Sequence, residues 1–194
     1  KTLFPYTTLF RSADYLCAQH GFARLAFADP LRIEIAIAYG IQVDQLLDRA
    51  GKETPQPWLA LRRCTNWQFV ALMTARHHIL LDQPLSPRMV LQHWGTEYRR
   101  ECCGQDYWTA QIDNTLADMD RAGLTRIVIT DARFADEAEF IRERRGHIWH
   151  IARPGIEPVN GHSSERQLAI QPGDLLIDNH LTIDSLQRRI RSEE

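Results

Sequence analysis

The sequence predicts an α/β protein with parallel strands, and three observations predict it. The run Ile127-Val128-Ile129 is apolar at consecutive positions and ends in Thr130 and Asp131. A run without alternation reads as a strand buried on both faces, the pattern of parallel sheets. A helical pattern then opens at Asp136 and Glu137, continues through Ala138, Phe140 and Ile141, and stops near Gly146. HIWHIARPG follows as a second strand-like run with Arg153 at its end. Two strands joined by a helix of this length make a right-handed βαβ unit. The third observation is FARLAFAD, residues 22–29, where Leu25, Ala26 and Phe27 form the buried part and Asp29 stands at the carboxyl end. In open α/β sheets that edge is where ligands bind.

The remaining elements follow in order. Ala13 to His20 has helical character and stops at Gly21. Pro30 takes its favoured place at the start of a helix that carries Leu31, Ile33, Ile35, Ile37 and Ala38 to Gly40. Ile41 to Pro57 is polar, with a short helix in VDQLLDRAG and then a proline-bracketed loop. Trp58 to Leu81 reads as an irregular helix. The neighbours His77 and His78 point to different faces of it, make poor co-ligands, and are assigned no role. Pro87 opens the helix PRMVLQHWGTEYRREC, interrupted at Gly95, where a glycine marks close backbone approach. Trp108, Ile112, Leu116 and Met119 define an amphipathic helix that feeds the strand at Ile127. From Pro154 the chain turns polar and reads as a lid. Leu175, Leu176 and Ile177 form the last strand, ending at Asp178-Asn179, and residues 182–191 a closing helix.

Composition bounds the function. With 194 residues there is room for one domain with a real core, and 44% hydrophobic with 25% charged residues is ordinary for a soluble globular protein. A net charge of -2 argues against coating a nucleic-acid polymer. Arginine is plentiful while Lys1 and Lys52 are the only lysines, a usage that suits bidentate phosphate contacts and equally reflects genomic base composition. Cys17, Cys64, Cys102 and Cys103 form no CxxC pair, so reduced thiols of a cytoplasmic protein are expected. No apolar run approaches membrane-spanning length.

Residues 1–12, KTLFPYTTLFRS, stand apart from this pattern. TLFPYTTLFRS is similar to the forward translation of a short-read sequencing adapter, and the segment has no signal-peptide architecture. It is read as a non-native scar, with a natural edge strand as the alternative.

Two carboxylates at strand ends are the first candidates for chemistry. Asp131 in that position suits holding Mg²⁺ or its water beside a nucleotide phosphate, and suits equally a helix cap or turn. Asp29 with Arg32 one turn on suits a hydroxylated, phosphorylated acceptor, and suits equally an N-cap and a surface arginine.

The segments ADYLCAQHGFARLAFADPLR (13–32), VLQHWGTEYRRE (90–101), VITDARFADEAEFIRERRGHIWHIARPG (128–155), HSSE (162–165) and LLIDN (175–179) together resemble the phage-type deoxynucleoside monophosphate kinases, a branch of the P-loop kinases. The resemblance covers most of residues 13–194 and rests on the ordered set of motifs. It implies a doubly wound parallel sheet in a three-layer α/β/α arrangement. Residues 13–194 then form a single domain, with an acceptor-binding helical region at about 30–123 and a lid at about 154–173. It implies transfer of the ATP γ-phosphoryl group to a dNMP with Mg²⁺. The partners are then small molecules, with no nucleic-acid polymer and no membrane, and a homodimer is open. Asp29 and Arg32 would sit by the acceptor nucleotide. Gln92, Thr96, Glu97 and Arg99 would help hold its base or phosphate. Asp131 would orient Mg²⁺ or its water shell, and Arg133 would lie near the transferred phosphate. Arg153 and His162, Ser164 and Glu165 would belong to the lid on ATP. The sequence contains no GxxxxGK[ST], the phosphate-cradling loop of this branch, so the chain as written is expected to be inactive. The competing readings are another small P-loop kinase of the dephospho-coenzyme A kinase type, which the GTEYRRE and TDARFADEAEF segments fit less well, and a nucleotide-binding module without catalysis.

Overall fold

Every strand foreseen from an apolar run is present in the computed structural model, which describes residues 8–48, 50–152 and 168–178. The chain divides into two compact units, a strand unit of Lys1–Phe27 with Asp113–Glu194 and a helical unit of Ala28–Ile112.

In the strand unit, β1 (Ala23–Leu25) pairs in parallel with β2 (Ile127–Ile129), placing Leu25 opposite Ile129. β3 (Trp149–Ala152) pairs in parallel with β4 (Leu175–Asp178), placing Ile151 opposite Ile177. Parallel pairing was expected. The βαβ unit expected here is not seen within one sheet: among the described residues β2 and β3 flank the helix α8 (Ala135–Glu143) but fall in separate two-stranded sheets. The helix connecting two strands fixes their direction but not which strand each takes as neighbour. One apolar cluster serves both pairs. Tyr15 and Leu16 of α1 (Thr8–His20) pack with Ile177, and Val128, Trp149 and Ile151 lie against them. α1 begins at Thr8, before the expected Ala13, so Thr8 to Phe10 is helical and not an edge strand.

α8 is set by its own ends. Glu137 is buried and its Oε2 accepts the backbone N–H of Arg133 at 2.8 Å and of Phe134 at 3.1 Å, satisfying donors that a helix start leaves open. At the far end Gly146 donates to the Ile141 carbonyl, and a Cβ there would stand 2.6 Å from Ile141 Cγ2.

In the helical unit, α2 (Ala28–Tyr39) and α3 (Val43–Leu47) are followed by two 3₁₀ turns, Pro57–Leu59 and Leu61–Arg63. Then comes α4 (Trp67–His77), capped by Asn66, whose side chain accepts from Phe69 N at 3.1 Å. The long irregular helix expected from Trp58 is therefore three shorter pieces, because extended residues at Ala60 and Cys64 break the ladder. α5 (Pro87–Gln92) starts at its Ser86 cap and continues into a π-helix, His93–Arg100, then α6 (Glu101–Cys103). α7 (Tyr107–Arg121) completes the helices before β2. The core here is aromatic. Phe69 and Trp94 have ring centroids 4.5 Å apart, and Trp94 meets Tyr98 edge-on at 5.3 Å.

Candidate functional site

The carboxyl ends of β1 and β2 place the first carboxylate. Asp131 follows β2, and its Oδ1 accepts the backbone N–H of Phe27 at 2.7 Å, tying together the chain ends that leave the two strands. Thr130 reinforces this by donating to the Leu25 carbonyl at 3.1 Å. Asp131 is partly exposed, and a carboxylate is a hard oxygen donor. Two residues on, the Arg133 side chain is exposed at the turn that Glu137 holds.

The helical unit gathers the acceptor-side candidates on two elements. Asp29 sits inside the first turn of α2 rather than at a strand end, because the helix starts at Ala28 before Pro30. Its Oδ1 accepts from Arg32 Nη1 at 2.8 Å. α2 meets the π-helix where Gly95 is buried. A Cβ on Gly95 would lie 3.3 Å from Leu31 Cδ2, and the Gly95 carbonyl accepts from Trp108 Nε1 at 2.9 Å. Close backbone approach was the meaning read from this glycine. Segments far apart in sequence, ADPLR and GTEYRR, are thus brought side by side.

Glu34 is the centre of that junction, and the sequence reading passed over it. Its Oε2 accepts from Arg99 Nε at 2.7 Å and from Trp94 Nε1 at 2.8 Å, and its Oε1 accepts from the Tyr107 hydroxyl. The Arg99 guanidinium also lies over the Tyr98 and Tyr107 rings, at 4.5 Å and 4.9 Å. Burial, and then the Glu34 hydrogen bond and charge, push the Tyr107 hydroxyl well above its ordinary range. Burial opposes the charge on Arg99, but Glu34 outweighs it and holds the guanidinium protonated. The signal available in the sequence was one acidic residue inside the apolar pattern LRIEIAIAY.

Glu97 is engaged elsewhere. Its Oε1 faces His93 Nδ1 at 2.6 Å and its Oε2 faces His77 Nε2. Burial works against its charge, yet the hydrogen bonds from His93 and His77 outweigh it and keep the carboxyl below its ordinary range. His77 ends α4 and His78 is its left-handed C-cap, so the two do not share a helix as expected; the His77 ring lies against His93, 4.3 Å away between centroids. The sequence reading assigned His77 no role; its neighbours in space, His93 and Glu97, lie on another helix. Gln92 ends α5, and Thr96 lies in the π-helix one residue before Glu97. Arg153, His162, Ser164 and Glu165 lie outside the described residues.

A model of the deoxynucleotide monophosphate kinase family matches residues 59–190. The chain belongs to that family. Members of the deoxynucleotide monophosphate kinase family are phosphotransferases, and the match takes in both the GTEYRR and the TDARFADEAEF segments. The chain is 28% identical over 201 residues to a putative deoxynucleotide monophosphate kinase of Acanthamoeba polyphaga mimivirus, covering 93% of this chain and 87% of that protein. It is 29% identical over 110 residues to the deoxynucleotide monophosphate kinase of Escherichia phage RB69, covering 57% of this chain and 45% of the relative. Against the deoxynucleotide monophosphate kinase of Enterobacteria phage T4 the identity is 25% over 112 residues, covering 58% and 46%. Among the described residues no helix is long and apolar enough to cross a membrane.

Proposed function

We propose that this kinase transfers the γ-phosphoryl group of ATP to a deoxynucleoside monophosphate, giving ADP and the deoxynucleoside diphosphate, in the cytoplasm. The observation that carries the reading is the family match over residues 59–190, which spans the acceptor-side segment and the strand-end carboxylate together. A doubly wound three-layer sheet is the fold inferred with it. The two parallel strand pairs and their shared apolar cluster under α1 support that architecture.

Phosphoryl transfer asks the protein mainly to position reactants and neutralise charge. Arg32 and Arg99 are the cations proposed for the acceptor side, each already oriented by a carboxylate, Asp29 and Glu34. Gln92 and Thr96 offer an amide and a hydroxyl for the base or phosphate. Glu97 contributes by holding the π-helical turn, its carboxylate being taken by His77 and His93. An acceptor phosphate oxygen attacks the γ-phosphorus, and the bond to the β-phosphate oxygen breaks. Arg133 is proposed beside the transferred group, where its guanidinium meets the charge that spreads over the equatorial oxygens. Mg²⁺ bound with ATP would supply neutralisation of the phosphate charge, and the carboxylate of the partly exposed Asp131 would hold it through its water shell. Arg153 and the segment with His162, Ser164 and Glu165 are proposed to close on ATP and exclude water.

The test is a coupled ADP-release assay with a panel of dNMPs. It compares the chain as given with one carrying a strand and GxxxxGK[ST] loop in place of residues 1–12. Activity confined to the second protein is expected. Activity in neither, with both folded, would sink the kinase reading of these residues. In the active protein Arg133→Ala lowers kcat by at least about tenfold; a kcat within about a factor of two of the parent removes the proposed phosphate contact.

A further inference from the structure

The phosphoryl-transfer chemistry makes no use of the two imidazoles that converge on Glu97. His93 and Glu97 are four residues apart on the π-helix, and His77 comes from the last turn of α4. One ligand atom from each lies within 4.8 Å of the other two, and among the described residues this is the group of His, Cys, Asp and Glu side chains with that geometry. We propose that His77 Nε2, His93 Nδ1 and the Glu97 carboxylate form a binding site for one divalent transition-metal ion of the zinc class, a site separate from the Mg²⁺ that accompanies ATP.

The donor set makes the choice of ion. Two imidazole nitrogens and one carboxylate oxygen suit Zn²⁺, Co²⁺ or Ni²⁺, whereas Mg²⁺ and Ca²⁺ take oxygen ligands. Bonds of about 2.1 Å place neighbouring ligand atoms of a tetrahedral Zn²⁺ roughly 3.4 Å apart, a separation that the observed convergence reaches by small side-chain movement. The three side chains are 27%, 19% and 17% exposed, so an ion has a path in and a water has room as fourth ligand. Arg76 is the opposing charge, with Nε 3.8 Å from Glu97 Oε2. Its Nη1 is held by Glu101, on an exposed side chain that can swing outward. The Cys102 thiol points at the Glu97 carbonyl, 3.6 Å away, and is not part of the set. An ion here would join α4 to the π-helix, stapling the segment that carries Thr96 and Arg99, so its expected effect is on stability and acceptor positioning.

The test uses the full chain, freed of metal by a chelator and titrated with ZnCl₂ against a chromophoric competitor. One Zn²⁺ per chain, tighter than about 1 μM, is expected. Mg²⁺ at the same concentration should give no response, and Zn²⁺ at about 100 times Kd should raise Tm by about 5–11 °C. His77→Ala and His93→Ala should each weaken binding by more than about a hundredfold, beyond what loss of a supporting contact costs, while Cys102→Ser retains it. Should the alanine variants unfold, the Co²⁺-loaded parent decides. A nitrogen–oxygen ligand-field spectrum without a thiolate charge-transfer band supports the site, and a thiolate band overturns it. Absence of stoichiometric Zn²⁺ binding, or equal binding in folded His77→Ala and His93→Ala, also overturns it. None of these readouts depends on kinase activity, so failure here leaves the phosphotransferase reading intact.

Discussion

The helical unit and the strand unit solve the same packing problem with different materials. Around α2 and the π-helix the interior is built from large rings, Phe69, Trp94, Tyr98 and Trp108, and it is bordered by charged networks centred on Glu34 and on Glu97. Around β2 and β3 the described interior is smaller, made of strand aliphatics with Tyr15, Leu16 and Trp149, and the carboxylates Asp131, Glu137 and Asp174 sit where strands or a helix begin or end. Asp131 closes one end of β1 and β2, and Asp174 closes the start of β4. An aromatic interior holds polar atoms in place by shape, so a polar group there is costly to disturb. The two strand ends differ: Asp131 stays partly exposed, whereas the Asp174 side chain is 2% exposed and is held by Arg142 and His150.

The largest expected effect follows from that contrast. Trp94 is 1% exposed, so Trp94→Ala should cost about 3–5 kcal/mol in a denaturant titration. A loss under about 1 kcal/mol would mean that the rings do not form a rigid interior. Next comes Glu34→Ala, which leaves Trp94 Nε1, Arg99 Nε and the Tyr107 hydroxyl without their acceptor. About 2–3 kcal/mol should be lost. The milder Glu34→Gln keeps the shape and removes the charge, so the Tyr107 hydroxyl should titrate closer to its ordinary value of about 10, read by ultraviolet absorbance. An unmoved titration would say that burial alone raises it.

Asp174 tests the strand unit by pH. It accepts two bonds from Arg142, at 2.7 Å and 3.1 Å, and one each from His150 and Gln171 N. The Arg142 hydrogen bond first, with Gln171 and His150 behind it, outweighs burial and holds the carboxyl well below its ordinary range. A depressed folded value means stability that is fully present above the unfolded value of about 4 and is lost as pH falls below it. Asp174→Asn should therefore be less stable than the parent by about 2 kcal/mol near pH 7, with the gap closing in acid. A gap that stays constant with pH would assign the loss to packing. The smallest effect is expected for Gly95→Ala. The gain in helix propensity of about 1 kcal/mol is offset by a Cβ 3.3 Å from Leu31 Cδ2, leaving a net change within about 1 kcal/mol.

Sequence was a better guide to the strand unit than to the helical one, for a physical reason. Ile127–Ile129 and Leu175–Ile177 announce themselves in adjacent residues, since a buried strand is a local pattern. Asp131 is legible the same way, as the residue after the run. The helical unit hid its contacts in distance: Glu34 meets Arg99 across 65 residues and Tyr107 across 73, and His77 meets Glu97 across 20. No periodicity within one helix reports which of its polar residues will find a partner on another. The break of the Trp58 segment also escaped, because two 3₁₀ turns keep an apolar composition that looks helical. The position of Gly95 was the exception, since a glycine inside a helix speaks of the backbone next to it.

The π-helix from His93 to Arg100 carries a consequence in counting rather than chemistry. A backbone that closes its hydrogen bonds five residues back turns through less angle per residue than one that closes them four back. Over His93–Arg100 the chain therefore falls out of phase with an α-helix continued from α5. The directions in which Glu97, Tyr98 and Arg99 face are set by that lag. Taking out one residue between Gln92 and Arg100 and letting the segment relax to α would swing this whole group around the axis, with no side chain altered. In this stretch the number of residues is as much a part of the design as their identity.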